Sequence, residues 1–377
     1  MSATLDYAGL AADAICDLAP YEPGKPPEQL EREYGISDAL KLASNENPQG
    51  PSPAVTTALD NALADCNRYP DGAGFRLRAK LAEQLGVGQA QITLGNGSND
   101  ILVLLAETFL TSQCAAIYDQ YSFVVYRTAV QATGAEARIS PSQSADSAQP
   151  LGHDLDAMLG LVDAATRLIF IANPNNPTGT WVDSDSLRRF LAQLPEHVLV
   201  VLDEAYHEYA IGPGYENTAP WLAEFPNLVI VRTFSKAYGL AGLRVGYSIS
   251  AAGVAELLNR VRQPFNVNNL AQVAALAALE DSDWLSSSVE QNQRGLLLLE
   301  NGLTELGIRF VPSRANFVLA EFGAATADCY EYLLRHGVIV RPVANYGLGN
   351  YLRISVGTPA EIIVLLTQLA DFQKTRQ

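Results

Sequence analysis

A chain of 377 residues exceeds the size at which one hydrophobic core stops growing, so two domains are expected. The composition is that of an ordinary globular protein, and a formal net charge of −16 disfavours nucleic acid or an anionic membrane as a partner, because both select basic surfaces. A phosphorylated small molecule stays open, since a few arginines in a pocket can oppose the global charge.

The first twenty residues carry Asp6, Asp13 and Asp17 with no early Lys or Arg, which is not the pattern of a signal peptide. No apolar run is long enough to span a bilayer. Cys16, Cys66, Cys114 and Cys329 are scattered, as isolated reduced thiols of a cytoplasmic protein would be, and the histidines lack metal-ligand spacing. Pro20, Pro23, Pro26 and Pro27 predict an extended N-terminal arm that packs on something else.

From Phe75 onward helix and strand patterns alternate. Phe75 to Leu85 reads as a helix, Gln91 to Leu94 as a short strand, and Asn99 to Leu110 as a helix. Ala115 to Tyr118, Arg167 to Ala172, Val198 to Leu202 and Leu228 to Arg232 are short apolar runs without polar alternation. Such runs between helices predict a largely parallel sheet covered on both faces, an α/β fold whose ligands bind at the carboxyl ends of the strands. Ser140 to Gly152, rich in Ser, Gln, Ala and Pro, reads as a surface loop. Gln291 to Leu306 predicts a long helix, and Arg309 to Gln377 alternates again as a smaller second unit. The division expected is an arm over 1–45, a large domain over 46–265 and a small domain over 266–377.

The chemistry-bearing residues follow the strands. Gly95-Asn96-Gly97-Ser98-Asn99 joins a strand to a helix, and its N–H groups make an anion site or merely a turn. Asn173-Pro174-Asn175-Asn176-Pro177-Thr178-Gly179 is a turn. Asp203, at the end of its strand, suits a cationic ring nitrogen, or else an N-cap. Lys236, in Thr233-Phe234-Ser235-Lys236, is either a functional amine or a surface lysine. Arg244, within Gly242-Leu243-Arg244-Val245-Gly246, can grip a phosphate bidentately or serve the turn. Arg353 lies inside a strand-like run and must face solvent or meet an anion.

Together and in this order these segments resemble the fold-type I aminotransferases that use pyridoxal 5′-phosphate. The resemblance covers nearly the whole chain and is closest to the histidinol-phosphate aminotransferase family. It rests on Leu42-Ala43-Ser44-Asn45-Glu46-Asn47-Pro48, Arg68-Tyr69-Pro70-Asp71-Gly72, Ser235-Lys236-Ala237-Tyr238-Gly239-Leu240-Ala241-Gly242-Leu243-Arg244 and Leu352-Arg353-Ile354-Ser355-Val356-Gly357. It implies that Lys236 holds the cofactor covalently and then moves the substrate proton, for which its ordinary pKa of ~10.4 must fall. Asp203 would pair with the ring nitrogen, and Tyr206 and Asn176 with the ring oxygen. Gly97, Ser98, Thr233, Ser235 and Arg244 would hold the phosphate. Tyr69 would reach that phosphate from a neighbouring subunit, making a homodimer with shared sites. Phe123 would stack on the ring, with Tyr121 as the other candidate. Arg353 and Arg341 would take the substrate's anionic end, Tyr21 would close over it, and Asn45 would lie near the site.

The implied substrates are histidinol phosphate and glutamate or 2-oxoglutarate, in histidine biosynthesis. Aromatic aminotransferases share much of this wording, and the same fold and cofactor also serve decarboxylases, including one acting on threonine phosphate. A cofactor-binding regulator would add a basic DNA-binding region, which is missing. A Rossmann oxidoreductase would need a glycine fingerprint that is equally missing.

Overall fold

The computed structural model describes residues 5, 7–20 and 24–376. Its largest sheet has seven strands: β1 (Ile92–Gly95), β2 (Ala115–Asp119), β3 (Glu136–Ser140), β4 (Thr166–Ala172), β5 (Leu199–Asp203), β6 (Leu228–Thr233) and β7 (Gly246–Ile249). They lie in the order β1-β7-β6-β5-β4-β2-β3, all parallel except β7. Apart from the edge strand β3, the strands are largely apolar because both faces are covered. Along β4, Ile169 and Ile171 enter one core, while Leu168, Phe170 and Ala172 enter the other. The period of two thus feeds two helical layers from one strand.

This topology delivers the site. The parallel strands β2, β4, β5 and β6 end at one edge in Asp119, Ala172, Asp203 and Thr233. Strand β7 runs the other way, with Gly246 paired to both Gly95 and Thr233, so the residue before it, Arg244, arrives at that same edge. Gly246 has to be a glycine: a Cβ there would press on Ser98 N, the Gly97 backbone and the Arg232 carbonyl.

A second sheet is antiparallel, made of β8 (Phe310–Val311), β9 (Phe317–Glu321), β10 (Arg341–Pro342) and β11 (Tyr351–Ser355) in the order β10-β11-β9-β8. It has its own apolar core against the helices Thr326–Arg335 and Pro359–Lys374. Leu40–Lys41 pairs in parallel with Val338–Ile339, which ties the segment leading to Asn45 onto this unit.

The expected helices and strands stand within one or two residues of their predicted ends, apart from the arm and the long helix, and strands β3 and β7 have no counterpart among them. The proline-rich arm is not wholly extended, because Pro26 is extended and Pro27 opens the helix Pro27–Tyr34. Proline at the first helical position loses no hydrogen bond there. The long helix begins at Ser282, capped by the Asp281 side chain, and not at Gln291. Strand β3 escaped prediction because three of its five residues, Glu136, Ala137 and Ile139, are exposed.

Behind the strand ends lies a closed buried ion pair. Arg232 donates to Glu204 Oε2 through Nε at 2.9 Å, Thr218 donates to Oε1 at 2.7 Å, and Nη2 of Arg232 donates to Asn217 at 2.9 Å. Removing one partner of such a pair leaves an uncompensated charge. Arg232→Leu should therefore lower the unfolding free energy in denaturant by about 3–5 kcal/mol, and adding Glu204→Gln should recover most of it. A single variant as stable as the wild type would show that the pair contributes nothing.

Candidate active site

The edge of the large sheet and the face of the small one enclose a cleft of about 200 Å³. It brings together Ser98, Phe123, Asn176, Asp203, Tyr206, Thr233, Ser235, Lys236, Arg244, Asn45, Arg341 and Arg353. Gly97 stands at its wall in a left-handed conformation (φ 82°), where a Cβ would collide with the Arg244 guanidinium. One expected residue lies elsewhere. Tyr69 is 83% exposed and stacks on Phe265 with ring centroids 4.7 Å apart. Tyr21 lies outside the described residues; nearby, Gly24 lines the cleft at its arginine end, where a Cβ would stand 3.5 Å from Arg341 Nη1. Of the two aromatic candidates Phe123 lines the cleft, while Tyr121 packs with Leu319, Val343 and Leu348.

The alternatives to function fail on geometry. Asp203 caps no helix: the next one, His207–Ala210, has Tyr206 at its N-cap position and no side-chain cap. Its carboxylate is buried, Oδ2 accepts from Tyr126 Oη at 2.7 Å, and Oδ1 has no hydrogen-bond partner. Burial raises this carboxyl to about 6 despite the Tyr126 bond. Lys236 is no surface lysine. It donates to the Ser44 carbonyl at 3.3 Å, and burial, then the Arg353 charge, lowers its ammonium to about 7. Arg353 is buried rather than solvent-facing. It donates to Asn176 Oδ1 at 2.6 Å and to the Ala43 carbonyl at 2.7 Å. That bond fixes the Asn176 amide, so its NH₂ remains a donor.

Asn45 bridges the two units. Its side chain donates to Tyr206 Oη at 2.9 Å and accepts from Ser355 Oγ at 3.0 Å. The Tyr206 hydroxyl is pushed up to about 12, chiefly by burial. Arg244 Nη1 lies 3.3 Å from Ser235 Oγ, beside the N-terminus of the helix Ser98–Phe109.

These features fit the expected cofactor. A buried carboxylate oxygen without a hydrogen-bond partner suits a ring nitrogen, burial lowers the pKa of an amine toward neutrality, and an arginine with two hydroxyls meets a helix N-terminus that suits a phosphate. Sequence reasoning missed Tyr126, Tyr346, Ser44 and Asn99. The last three line the cleft, and only Ser44 and Asn99 lay within segments already singled out.

A seven-stranded, mostly parallel sheet with its site at the strand ends defines a fold-type I transferase. The chain belongs to the class I and II aminotransferases, whose family model matches residues 37–369. It is 52% identical to histidinol-phosphate aminotransferase 2 of Pseudomonas fluorescens, over 97% of this chain and 98% of that one. It is 51% identical to histidinol-phosphate aminotransferase 1 of Nitrosococcus oceani, over 99% and 100%. The crystal structure of the Sinorhizobium meliloti histidinol-phosphate aminotransferase in complex with pyridoxal-5′-phosphate superposes with a TM-score of 0.87 at 30% identity, covering 97% of each chain. At such identities over the whole length, the chain falls among the histidinol-phosphate aminotransferases.

An amine titrating near 7 attacks an aldehyde only when neutral. Capture of pyridoxal phosphate by cofactor-free protein should accelerate as pH rises through about 7 and then level off. Borohydride should then fix the cofactor on the Lys236 peptide. A rate still climbing toward pH 10, or label on another lysine, would contradict this.

Proposed function

We propose that this chain transfers an amino group between L-histidinol phosphate and 2-oxoglutarate, giving imidazole-acetol phosphate and L-glutamate, with pyridoxal 5′-phosphate as cofactor. The observation that carries the substrate is the arginine pair. Arg341 and Arg353 are register partners on β10 and β11, both buried and both lining the cleft. Like charges directly across a sheet repel, and burying them adds a desolvation penalty. A dianion between them would meet both guanidinium groups at once. A phosphate can engage two guanidinium groups, whereas the carboxylate of glutamate is largely satisfied by one fork.

When bound, the cofactor supplies the carbonyl that exchanges with the amino group and the ring that spreads the electron pair left on the substrate carbon. The rest falls to the chain. Gly97, Ser98, Thr233, Ser235 and Arg244 grip the cofactor phosphate. Asp203 Oδ1 holds a proton on the ring nitrogen, the Tyr206 hydroxyl and the Asn176 amide orient the ring oxygen, and Phe123 covers a ring face. Lys236 Nζ would take the proton from the substrate carbon that bears nitrogen and pass it to the cofactor's carbonyl carbon, and would run that transfer backwards in the other half. Asn45, through Tyr206 and Ser355, keeps the two units in register.

In this reading residues 46–265 form the large cofactor-binding domain and 266–377 the small one, whose first helix, Asn269–Glu280, packs back into the large core, with 1–45 as an arm over the anion end. The enzyme works in the cytoplasm as a homodimer, and Tyr69 reaches the phosphate of the neighbouring copy. A large aromatic ring held at the surface, away from its own cleft, supports that assignment.

Each half-reaction can be followed by decay of the bound cofactor's visible absorbance. Losing a partner of a charged hydrogen bond costs roughly 2–5 kcal/mol. Arg353→Ala should impair histidinol phosphate and glutamate alike. Arg341→Ala should slow histidinol phosphate at least about tenfold more than glutamate. A silent Arg341→Ala, with wild type preferring phenylpyruvate, would make this an aromatic aminotransferase.

The shared site is checked by mixing. Lys236→Ala and Tyr69→Ala chains, each inactive, should regain activity after subunit exchange, because one site of the heterodimer carries neither fault. No recovery, or a fully active Tyr69→Ala, excludes the role of Tyr69.

A further inference from the structure

Tyr126 sits one helical turn beyond Phe123, on the helix Val124–Ala132, and belongs to none of the motifs that carry the resemblance. It is fully buried. Its ring lies flat against Phe170, with centroids 4.9 Å apart and planes 15° apart, and meets Phe123 edge-on at 6.0 Å. Every element of that setting would suit a phenylalanine equally well, except one: the hydroxyl donates to Asp203 Oδ2 at 2.7 Å. The Ala205 N–H also leans toward this carboxylate, yet no well-formed hydrogen bond reaches Oδ1. One oxygen is therefore tied down and the other is left to face the cleft.

We propose that Tyr126 is a positioning residue that aims Asp203 and holds down its basicity, so that Oδ1 keeps the cofactor's ring nitrogen protonated. This rests on the cofactor reading above. A hydrogen bond to a buried carboxylate stabilises its charged form. Without it Asp203 is a stronger base and is free to turn. Both changes leave the ring less cationic, the first by drawing the shared proton toward the carboxylate and the second by weakening the ion pair. A less cationic ring lets the nitrogen of Lys236 keep its proton to higher pH. Phe123 and Tyr126 share one short segment and touch, so the ring that covers the cofactor and the hydroxyl that aims its carboxylate move as one piece.

The test is the pH midpoint of the bound cofactor's visible band in Y126F, D203N and the double variant. The other charged groups near Asp203 and Lys236, namely Glu204, Glu46, Arg244 and Arg353, are untouched by Y126F. In the otherwise native enzyme Y126F should raise the midpoint by about half a unit or more, and slow the histidinol phosphate half-reaction at least about tenfold. On the D203N background it should move neither, because the hydroxyl acts only through the carboxylate. An unchanged midpoint in Y126F, or an equal shift on both backgrounds, overturns the proposal. Should Y126F fail to hold the cofactor, Y126H, which keeps a donor, is read instead, and a midpoint displaced from wild type overturns it. A wild type with no visible band sinks the cofactor reading and this proposal with it; a normal wild type with an unresponsive Y126F sinks the proposal alone.

Discussion

The structure depends on charged groups being held out of water in one cleft without cancelling one another. Burial raises the Asp203 carboxyl to about 6 and lowers the Lys236 ammonium to about 7, so near neutrality each stands close to its own titration. In water the two would differ by more than six units, and neither would exchange a proton readily with a carbon acid or a ring nitrogen. Desolvation is the larger influence on both, and it is a property of the fold. It exists because apolar strands end together under a second sheet, and because Asn45 and Arg353 seal the seam by hydrogen bonds across it.

That seam explains why the chain has the architecture it has. The edge of the large sheet supplies most of the groups that would hold the cofactor, and the small sheet supplies Arg341 and Arg353. The strand pair Leu40–Lys41 with Val338–Ile339 fastens the intervening segment to the small unit, after which Ser44 and Asn45 cross into the cleft. Arg353 is the hinge of this arrangement. One bond goes to Asn176 on the large unit and another to Ala43 on the crossing segment. A ligand that engages this guanidinium would act on the same group that fixes the Asn176 amide.

Much of this was legible in the order of residues. The buried strands announced themselves as short apolar runs, because a strand covered on both faces has no polar period. Asp203, Lys236 and Asn176 were legible because each follows such a run, at the edge where an α/β sheet binds its ligands, and Arg244 because glycines flank it. What stayed hidden depends on partners distant in sequence. Nothing local shows that β7 runs backwards, which is what brings Arg244 to the edge. Nothing local pairs Arg341 with Arg353, since that register is set between strands. Tyr126 and Tyr346 are single aromatic residues in unremarkable surroundings, and only packing assigns Tyr126 to the carboxylate. The helix at Pro27 was misread because proline forbids a helix interior but favours its first turn.

Asp203 and Glu204 show how to separate a structural charge from a working one. They are adjacent, both are carboxylates, and both are buried. Glu204 is closed: Thr218 serves one oxygen and Arg232 the other. Such a group, paired within the protein, has no further valence for a ligand. Asp203 is half closed, with Tyr126 on one oxygen and no hydrogen-bond partner on the second, although the protein had every opportunity to bury a donor there. An unpaired oxygen in a desolvated site is costly, and a ligand that donates to it relieves that cost. Burial and charge alone would rank the two residues together. Counting lone pairs distinguishes them, and of the two only Asp203, whose count comes up short, lines the cleft.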